Sequence, residues 1–252
     1  MDCKRETDRI CKFIKDTVKE AGADGVVLGI SGGLDSAVVY KLCVKALGEN
    51  SITTIFIPDR DNIPTPMHIR DLMGINKVFK IQNLPNLESI ERPTDYIVED
   101  CENTLIIGNV KARLRMTYLY FYANIHNKLV IGTTNKSEYL IGYFTKYGDG
   151  GVDFEPIQHL YKTEVYELAK YLKVPKEIIE AKPTAGLWEG QTDEDEIGMS
   201  YEKLDRILKH LSNNTPYRPS FKEQGINTKD FDRVVRLIKS SEHKRRLPKC
   251  LV

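Results

Sequence analysis

The residues best placed to do chemistry begin with Gly29-Ile30-Ser31-Gly32-Gly33-Leu34-Asp35-Ser36. The apolar run Val26, Val27, Leu28 enters this stretch, and Ala37, Val38, Tyr40, Leu42 and Val44 leave it at helical spacing. A strand, a glycine turn and a helix start in that order cradle an anion, because small residues let backbone N–H groups approach and the helix N-terminus adds positive potential. A phosphate is the natural guest. The P-loop is excluded, since it closes on Gly-Lys-Ser/Thr and no lysine occurs here; the glycine spacing excludes the Rossmann dinucleotide fingerprint. The plain alternative is an ordinary strand-to-helix turn capped by Ser31 or Asp35.

A second constellation runs from Gly132 through Thr133, Glu138 and the glycine-rich Gly142, Gly148, Gly150 and Gly151 to Asp153. Thr133 could bond a nucleotide, and Glu138 could supply a carboxylate to Mg²⁺, a hard ion that takes a few carboxylates plus phosphate oxygens.

The elements that must position these groups alternate. Ile10, Phe13, Ile14 and Val18 predict an amphipathic helix over 6–20, followed by strands at 26–30, 52–57, 77–81 and 129–132. Helices are expected at 36–47, 66–73, 88–126, 162–172, 200–210 and 228–240, with a polar, acidic loop over 182–196. This order signals a parallel sheet covered by helices on both faces, with ligands at the carboxyl ends of the strands. Both constellations sit at such ends, although strand order cannot be read from sequence.

Composition narrows the class. Thirty-seven Lys and Arg against 36 Asp and Glu leave a net charge of +1 over 252 residues, which argues against a nucleic-acid partner reached by bulk electrostatics. Five scattered cysteines without a C-x-x-C pair suggest neither a disulfide framework nor zinc, and a reducing cytoplasm fits best. No apolar run approaches the ~18 residues of a membrane span and no signal-peptide core is seen, so a soluble protein is expected.

The Ser-Gly-Gly-x-Asp-Ser pattern resembles the pyrophosphate loop of the N-type ATP pyrophosphatases, which cleave ATP between its α and β phosphates. That resemblance implies Ser31, Ser36 and the backbone on the leaving pyrophosphate and Asp35 on Mg²⁺. Further matches follow in order: Gly108-Asn-Val-Lys-Ala-Arg-Leu-Arg-Met116, Gly132 to Asp153, Pro156-Ile157, Leu160-Tyr-Lys162, Lys182-Pro-Thr-Ala-Gly-Leu187 and Glu242 to Pro248. On these motifs, which span nearly the whole chain, the sequence closely resembles the ammonia-dependent NAD synthetase family.

The resemblance implies a Rossmann-like open parallel sheet with helices on both faces, of adenine nucleotide alpha hydrolase type, in one synthetase domain over 1–252. It implies amidation of deamido-NAD with ammonia and ATP. ATP would meet Gly29, Ile30, Ser31, Gly32, Gly33, Leu34, Asp35 and Ser36, together with Thr133, Lys162 and Thr184; Mg²⁺ would meet Asp35 and Glu138. Arg113, Lys146, Asp153, His243 and Lys244 fall on deamido-NAD positions; Asp149 matches an acidic residue near where ammonia should arrive, a catalytic position from which it would help select and deprotonate ammonium; and the family is typically homodimeric. With no glutamine-hydrolysing domain in view, free ammonia is the expected donor.

These roles make chemical sense. A carboxylate lacks a good leaving group; adenylation supplies one, and ammonia then displaces AMP. Mg²⁺ and Lys162 would neutralise the charge developing on the phosphates.

Plainer readings stay open. Asp149 in Gly-Asp-Gly-Gly could simply satisfy turn donors, Arg113 with Lys111 and Arg115 could be a solvated stripe, and His243 to Arg246 a basic tail. The aromatic run Tyr118 to Tyr122 suits either core or a dimer interface, and 182–196 and the C-terminal segment are expected to close over substrates. Two rival functions are another N-type ATP pyrophosphatase, such as a tRNA-thiolating enzyme, and a non-catalytic nucleotide-binding module. The first commonly needs a cysteine pair or iron–sulfur site where Cys101 stands alone; the second would have lost reactive groups that are all present.

Overall fold

Short apolar strands buried on both faces set the layers. The computed structural model describes residues 1–58, 66–80, 104–184, 190–212 and 225–251. Its sheet comprises β1 (Val26–Gly29), β2 (Ile52–Phe56), β3 (Val78–Lys80) and β4 (Leu129–Ile131), all parallel in the order β3-β2-β1-β4.

The larger helices and short connectors number, in chain order, α1 (Cys3–Glu20), α2 (Leu34–Leu47), α3 (Pro66–Met73), α4 (Thr104–Ile125), α5 (Lys136–Ile141), α6 (Lys162–Tyr171), α7 (Lys176–Glu180), α8 (Asp193–Ile197), α9 (Tyr201–Ser212) and α10 (Thr228–Ser240).

Successive strand residues face opposite ways. Val26, Leu28, Phe56 and Ile131 therefore join a core with Ile10 and Ile14 of α1, Val38 and Leu42 of α2, and Val165 and Leu168 of α6. Val27, Ile55 and Val130 point to the other face, against Tyr118, Leu119 and Tyr122 of α4. Burial on both faces explains why these strands read as continuous apolar runs. The aromatic run of α4 is thus largely core, with Phe121 the exposed member. A third apolar cluster joins Ile141 of α5, Ile197 of α8, Leu204 and Leu208 of α9 and Val234 of α10.

The described part of α4 begins at Thr104, and the expected helical residues 88–103 lie outside the described residues, as does Cys101. The acidic 182–196 stretch, expected as loop, contains α8. Thr192 caps it, its hydroxyl accepting from the Asp195 N–H at 3.2 Å, and the acidic first turn suits the positive end of the helix dipole. Five residues are too few for periodicity to reveal. Among the described residues no helix is long and apolar enough to cross a membrane.

Chain order fixes the crevice. From β1 the chain winds outward through β2 to β3, then returns to place β4 on β1's other edge. The two connections leave β1 and β4 in opposite senses, and that divergence opens a ligand crevice at their carboxyl ends.

Candidate active site

The two sequence constellations meet at that crevice, one after β1 and one after β4. In the first, the Gly33 N–H donates to Ser31 Oγ at 3.1 Å, Ser36 Oγ donates to the Gly33 carbonyl at 3.0 Å, and the two serine hydroxyls lie 3.1 Å apart. Gly32 sits at φ +85°, a conformation that glycine takes without strain. The N-cap of α2 is Gly33, with no side-chain capping bond. Neither Ser31 nor Asp35 caps the helix, which leaves its first-turn amides without a side-chain cap, as an anion-binding helix start requires.

After β4, Asn135 opens α5 with a capping box: its side-chain oxygen accepts from the Glu138 N–H at 3.0 Å, and Glu138 accepts from the Asn135 N–H at 3.4 Å. The Asn135 amide also donates to Asp35 at 3.1 Å. One buried asparagine thereby fixes both carboxylates.

Between them lies Lys162, the first residue of α6. Its Nζ stands 2.5 Å from Asp35 Oδ2 and 3.1 Å from Glu138 Oε1, with the lysine side chain only 3% exposed. Burial alone would depress the lysine, but the adjacent carboxylates more than offset it, so its pKa lies above the ordinary value and it stays charged. Burial pushes Glu138 the other way, up to about 7, with Lys162 opposing and Asp35 adding to the rise.

A second layer supports this cluster. Tyr201 donates to Glu138 at 3.2 Å and to Asp193 at 3.0 Å, and its ring lies 4.9 Å from Lys162 Nζ. Asp193 also accepts from Tyr143 at 3.2 Å, tying α8 to the site. Asp205, buried in α9, accepts from Ser137 Oγ and, at 2.9 Å, from the Thr163 N–H, while Ser137 Oγ accepts the Lys162 N–H at 2.9 Å. Asp205 thus holds α5 and α6 together where each presents a functional side chain.

The remaining sequence candidates fall beside this cluster. Lys146, Asp153 and Lys244 line a cleft of about 400 Å³ with Thr134, Phe144 and Glu155. Arg113 and His243 are tied to it through Lys146: Arg113 donates to the Lys146 carbonyl at 3.4 Å, and Lys146 Nζ donates to the His243 carbonyl at 2.7 Å. Lys244 donates to the carbonyls of Gly142 and Phe144 at 2.8 and 2.7 Å.

Asp153 accepts from the Val130 N–H at 2.7 Å and from Tyr120 at 3.1 Å, which anchors it to β4 and α4. Asp149 is exposed but turns its carboxylate onto the Thr145 N–H at 2.8 Å, so it does satisfy a turn donor. Thr133 is partly buried just beyond β4, and Thr184 is exposed beyond α7, next to 185–189, which lie outside the described residues.

Asn135, Glu155, Asp193, Tyr201 and Asp205 were not among the sequence candidates. Only Asn135 carried a legible signal, as the first residue of an Asn-x-x-Glu capping box.

An open parallel sheet covered on both faces, with a glycine-serine anion loop and an acid–lysine cluster at its switch point, defines an α/β protein of the adenine nucleotide alpha hydrolase class. The family model described as NAD synthase matches residues 6–248, and the chain belongs to that family.

Over 243 residues it is 44% identical to the NH(3)-dependent NAD(+) synthetase of Methanocaldococcus jannaschii, covering 96% of this chain and 94% of that protein. Among solved structures it is similar to an NMN synthetase from Francisella tularensis (TM-score 0.84, 35% identity, 100% and 99% of the two chains). It is also similar to the NH3-dependent NAD synthetase of Campylobacter jejuni (TM-score 0.78, 31% identity, 100% of both).

Proposed function

We propose that this protein is a C–N ligase that amidates deamido-NAD with ammonia, driven by ATP, through an adenylated carboxylate, yielding NAD, AMP and pyrophosphate in the final step of NAD biosynthesis. The observation that carries this reading is the Asp35–Lys162–Glu138 cluster beside an uncapped glycine-serine loop, in a chain of this family.

In the proposed reaction the loop Gly29 to Ser36 holds the ATP phosphates through its amides and serine hydroxyls, with Thr133 and Thr184 on the nucleotide. Asp35 and Glu138 are the candidates to hold Mg²⁺. They fit it, since two hard oxygen donors from separate elements already converge on one positive charge, that of Lys162. Among the described residues no group of three or more His, Cys, Asp or Glu side chains forms a metal site; two carboxylates completed by phosphate oxygens suit Mg²⁺. When bound, Mg²⁺ supplies positive charge to the α-phosphate and the leaving pyrophosphate.

Lys162, permanently charged, adds to that stabilisation from a dry position where its field is strong. Arg113, Lys146, His243 and Lys244 supply donors for the phosphates and carboxylate of deamido-NAD, with Asp153 for its hydroxyls. Asp149 helps select ammonium and deprotonate it. The reading extends to one synthetase domain over 1–252, a homodimer, free ammonia as donor and a cytoplasmic location.

A second reading, amidation of the corresponding mononucleotide, is favoured by the similarity to the protein titled NMN synthetase. One assay separates the two. Purified protein with ATP, Mg²⁺ and an ammonium salt is given deamido-NAD or nicotinic acid mononucleotide, and amide product and AMP are followed together. Equal NAD and AMP from the dinucleotide supports the first reading, and preferential turnover of the mononucleotide the second. No amide from either overturns both.

A further inference from the structure

Asp193 is nearly inaccessible, with 5% of the residue exposed, and it opens the five-residue helix α8. Its Oδ2 accepts from the Tyr201 hydroxyl at 3.0 Å and its Oδ1 from the Tyr143 hydroxyl at 3.2 Å. Its backbone N–H donates to the Pro183 carbonyl at 3.0 Å. The proline ring fixes φ, so little freedom is left at residue 183 once its carbonyl is bonded. Thr184, one of the residues proposed for ATP, follows it directly.

Tyr201 completes a path from there to the paired acids. Its hydroxyl carries a single proton, set between Asp193 Oδ2 and Glu138 Oε1 at 3.2 Å, and its ring lies 4.9 Å from Lys162 Nζ. Tyr143 stands just beyond Gly142, the C-cap of the helix that carries Glu138, and its N–H donates to the Glu138 carbonyl at 2.9 Å. Asp193 is therefore bonded to α5 twice, at the Glu138 side chain through Tyr201 and at the C-terminal end through Tyr143. The rest of α8 is held without it. Thr192 caps the helix, the Tyr201 N–H donates to Glu194 at 2.9 Å, and Arg233 of α10 donates to the carbonyls of Ile197 and Glu196 at 2.6 and 2.9 Å. Burying a carboxylate is costly, and what this one adds is the connection from Pro183 to Glu138.

We propose that Asp193 is a positioning residue for ATP: its carboxylate fixes the start of α8 against Tyr201 and Tyr143, and its N–H thereby sets Pro183 and Thr184 in register with Glu138. This deepens the reading above, in which Thr184 meets the nucleotide and Glu138 the metal, and rests on it. The backbone bond to Pro183 moves with the helix start; the side chain decides where that start lies. The consequence is selective for ATP, the substrate that on this reading meets both ends of the path.

The test is Asp193→Ala in the full chain, with ATP affinity measured by calorimetry in the presence of Mg²⁺ and the absence of deamido-NAD. Kd for ATP should weaken about tenfold, the scale of one lost charge-assisted hydrogen bond. KM for ATP should rise alike, while KM for deamido-NAD and for ammonium should not move. Asp193→Asn offers an acceptor to one tyrosine and a donor to the other, and a hydroxyl can take either role, so this variant should recover most of the affinity. In a cycle with Thr184→Val the two losses should not multiply, since Asp193 acts through Thr184.

An ATP affinity that Asp193→Ala leaves unchanged, or an equal rise in KM for all three substrates, would overturn the proposal. So would an Asp193→Asn protein as impaired as Asp193→Ala, or losses that multiply with Thr184→Val. Should Asp193→Ala not fold, Tyr201→Phe keeps the ring and breaks the same path at the hydroxyl. It is judged by the same ATP-specific loss, an unchanged ATP affinity being the overturning result. A wild-type protein that binds ATP but makes no amide would instead sink the amidation reading, and the ATP affinities of the variants would still decide the role of Asp193.

Discussion

Lys162 and Asp35 meet at 2.5 Å across 127 residues of sequence, and the lysine ammonium occupies the point on which the Asp35 and Glu138 carboxylates converge. Without nucleotide, the protein's own cation stabilises the paired acids, and this has a measurable consequence. Lys162→Met leaves two partly buried carboxylates facing each other. Removing one partner of a buried pair costs about 3–5 kcal/mol, a fall in Tm on the order of 10 °C for a chain of this size. If the two acids are the metal pair, millimolar Mg²⁺ should raise the Tm of the variant more than that of the wild type. Equal Mg²⁺ shifts in thermal melts would remove the support for that assignment.

Asp205 has no expected contact with substrate, but it binds Ser137 and the Thr163 amide together beside Lys162. Asp205→Ala strands both donors in the interior. Each unsatisfied buried donor costs about 1–3 kcal/mol, so denaturant curves should show a loss of roughly 2–6 kcal/mol. Because Lys162 begins the helix that Asp205 pins, kcat should fall as well. An unchanged stability would mean that Asp205 is not the anchor.

What the sequence made legible follows from how local each signal was. The strands at 26–30, 52–57, 77–81 and 129–132 were readable because apolar runs between glycine and proline punctuation need no knowledge of the partner strand. The adjacency of β1 and β4 was not, since it depends on where the chain returns after β3. The short α5, α7 and α8 span too few turns for periodicity to register.

At the candidate site, Ser31, Asp35, Glu138 and Lys162 were singled out through motifs. Tyr201, Asp205 and Glu155 stayed hidden, because each acts through a long-range contact on an element whose own sequence reads as ordinary helix or loop. Asp149, a motif position, also accepts the Thr145 N–H of its own turn, a contact that the turn-forming Gly-Asp-Gly-Gly sequence made readable.

Gly132 leaves the space that the Glu155 carboxyl fills. Gly132→Ala places a methyl 2.3 Å from the Glu155 carboxyl carbon, and that carboxyl, at the end of a flexible side chain, must swing away. The expected stability cost is modest, about 1 kcal/mol in denaturant unfolding, and it can be compared with that of Glu155→Gln and of the two changes combined. The double variant should then be no worse than the poorer single one, since the two changes remove one interaction. Fully additive losses of stability would show that Gly132 acts by another route.

The protonation of Glu155 also predicts how stability depends on pH. Its folded pKa, raised to about 8 chiefly by burial, lies above the ordinary carboxylate value of 4.5 that it regains on unfolding. Between those values the folded state keeps a proton that the unfolded chain gives up. The stabilising contribution is therefore complete below the unfolded value and is lost as pH rises through the folded one, by at most about 1.4 kcal/mol per pH unit.

Glu155→Gln carries no titrating proton, so its stability should match that of the wild type near pH 5 and exceed it increasingly toward alkaline pH. Glu138, also raised, titrates in both proteins, and its like charge, which disfavours ionisation of Glu155, adds to the difference as both ionise. Denaturant unfolding of the pair at acid, neutral and alkaline pH measures that difference directly. A gap between variant and wild type that stays constant with pH would show that the Glu155 carboxyl is as easily ionised in the folded protein as in the unfolded chain.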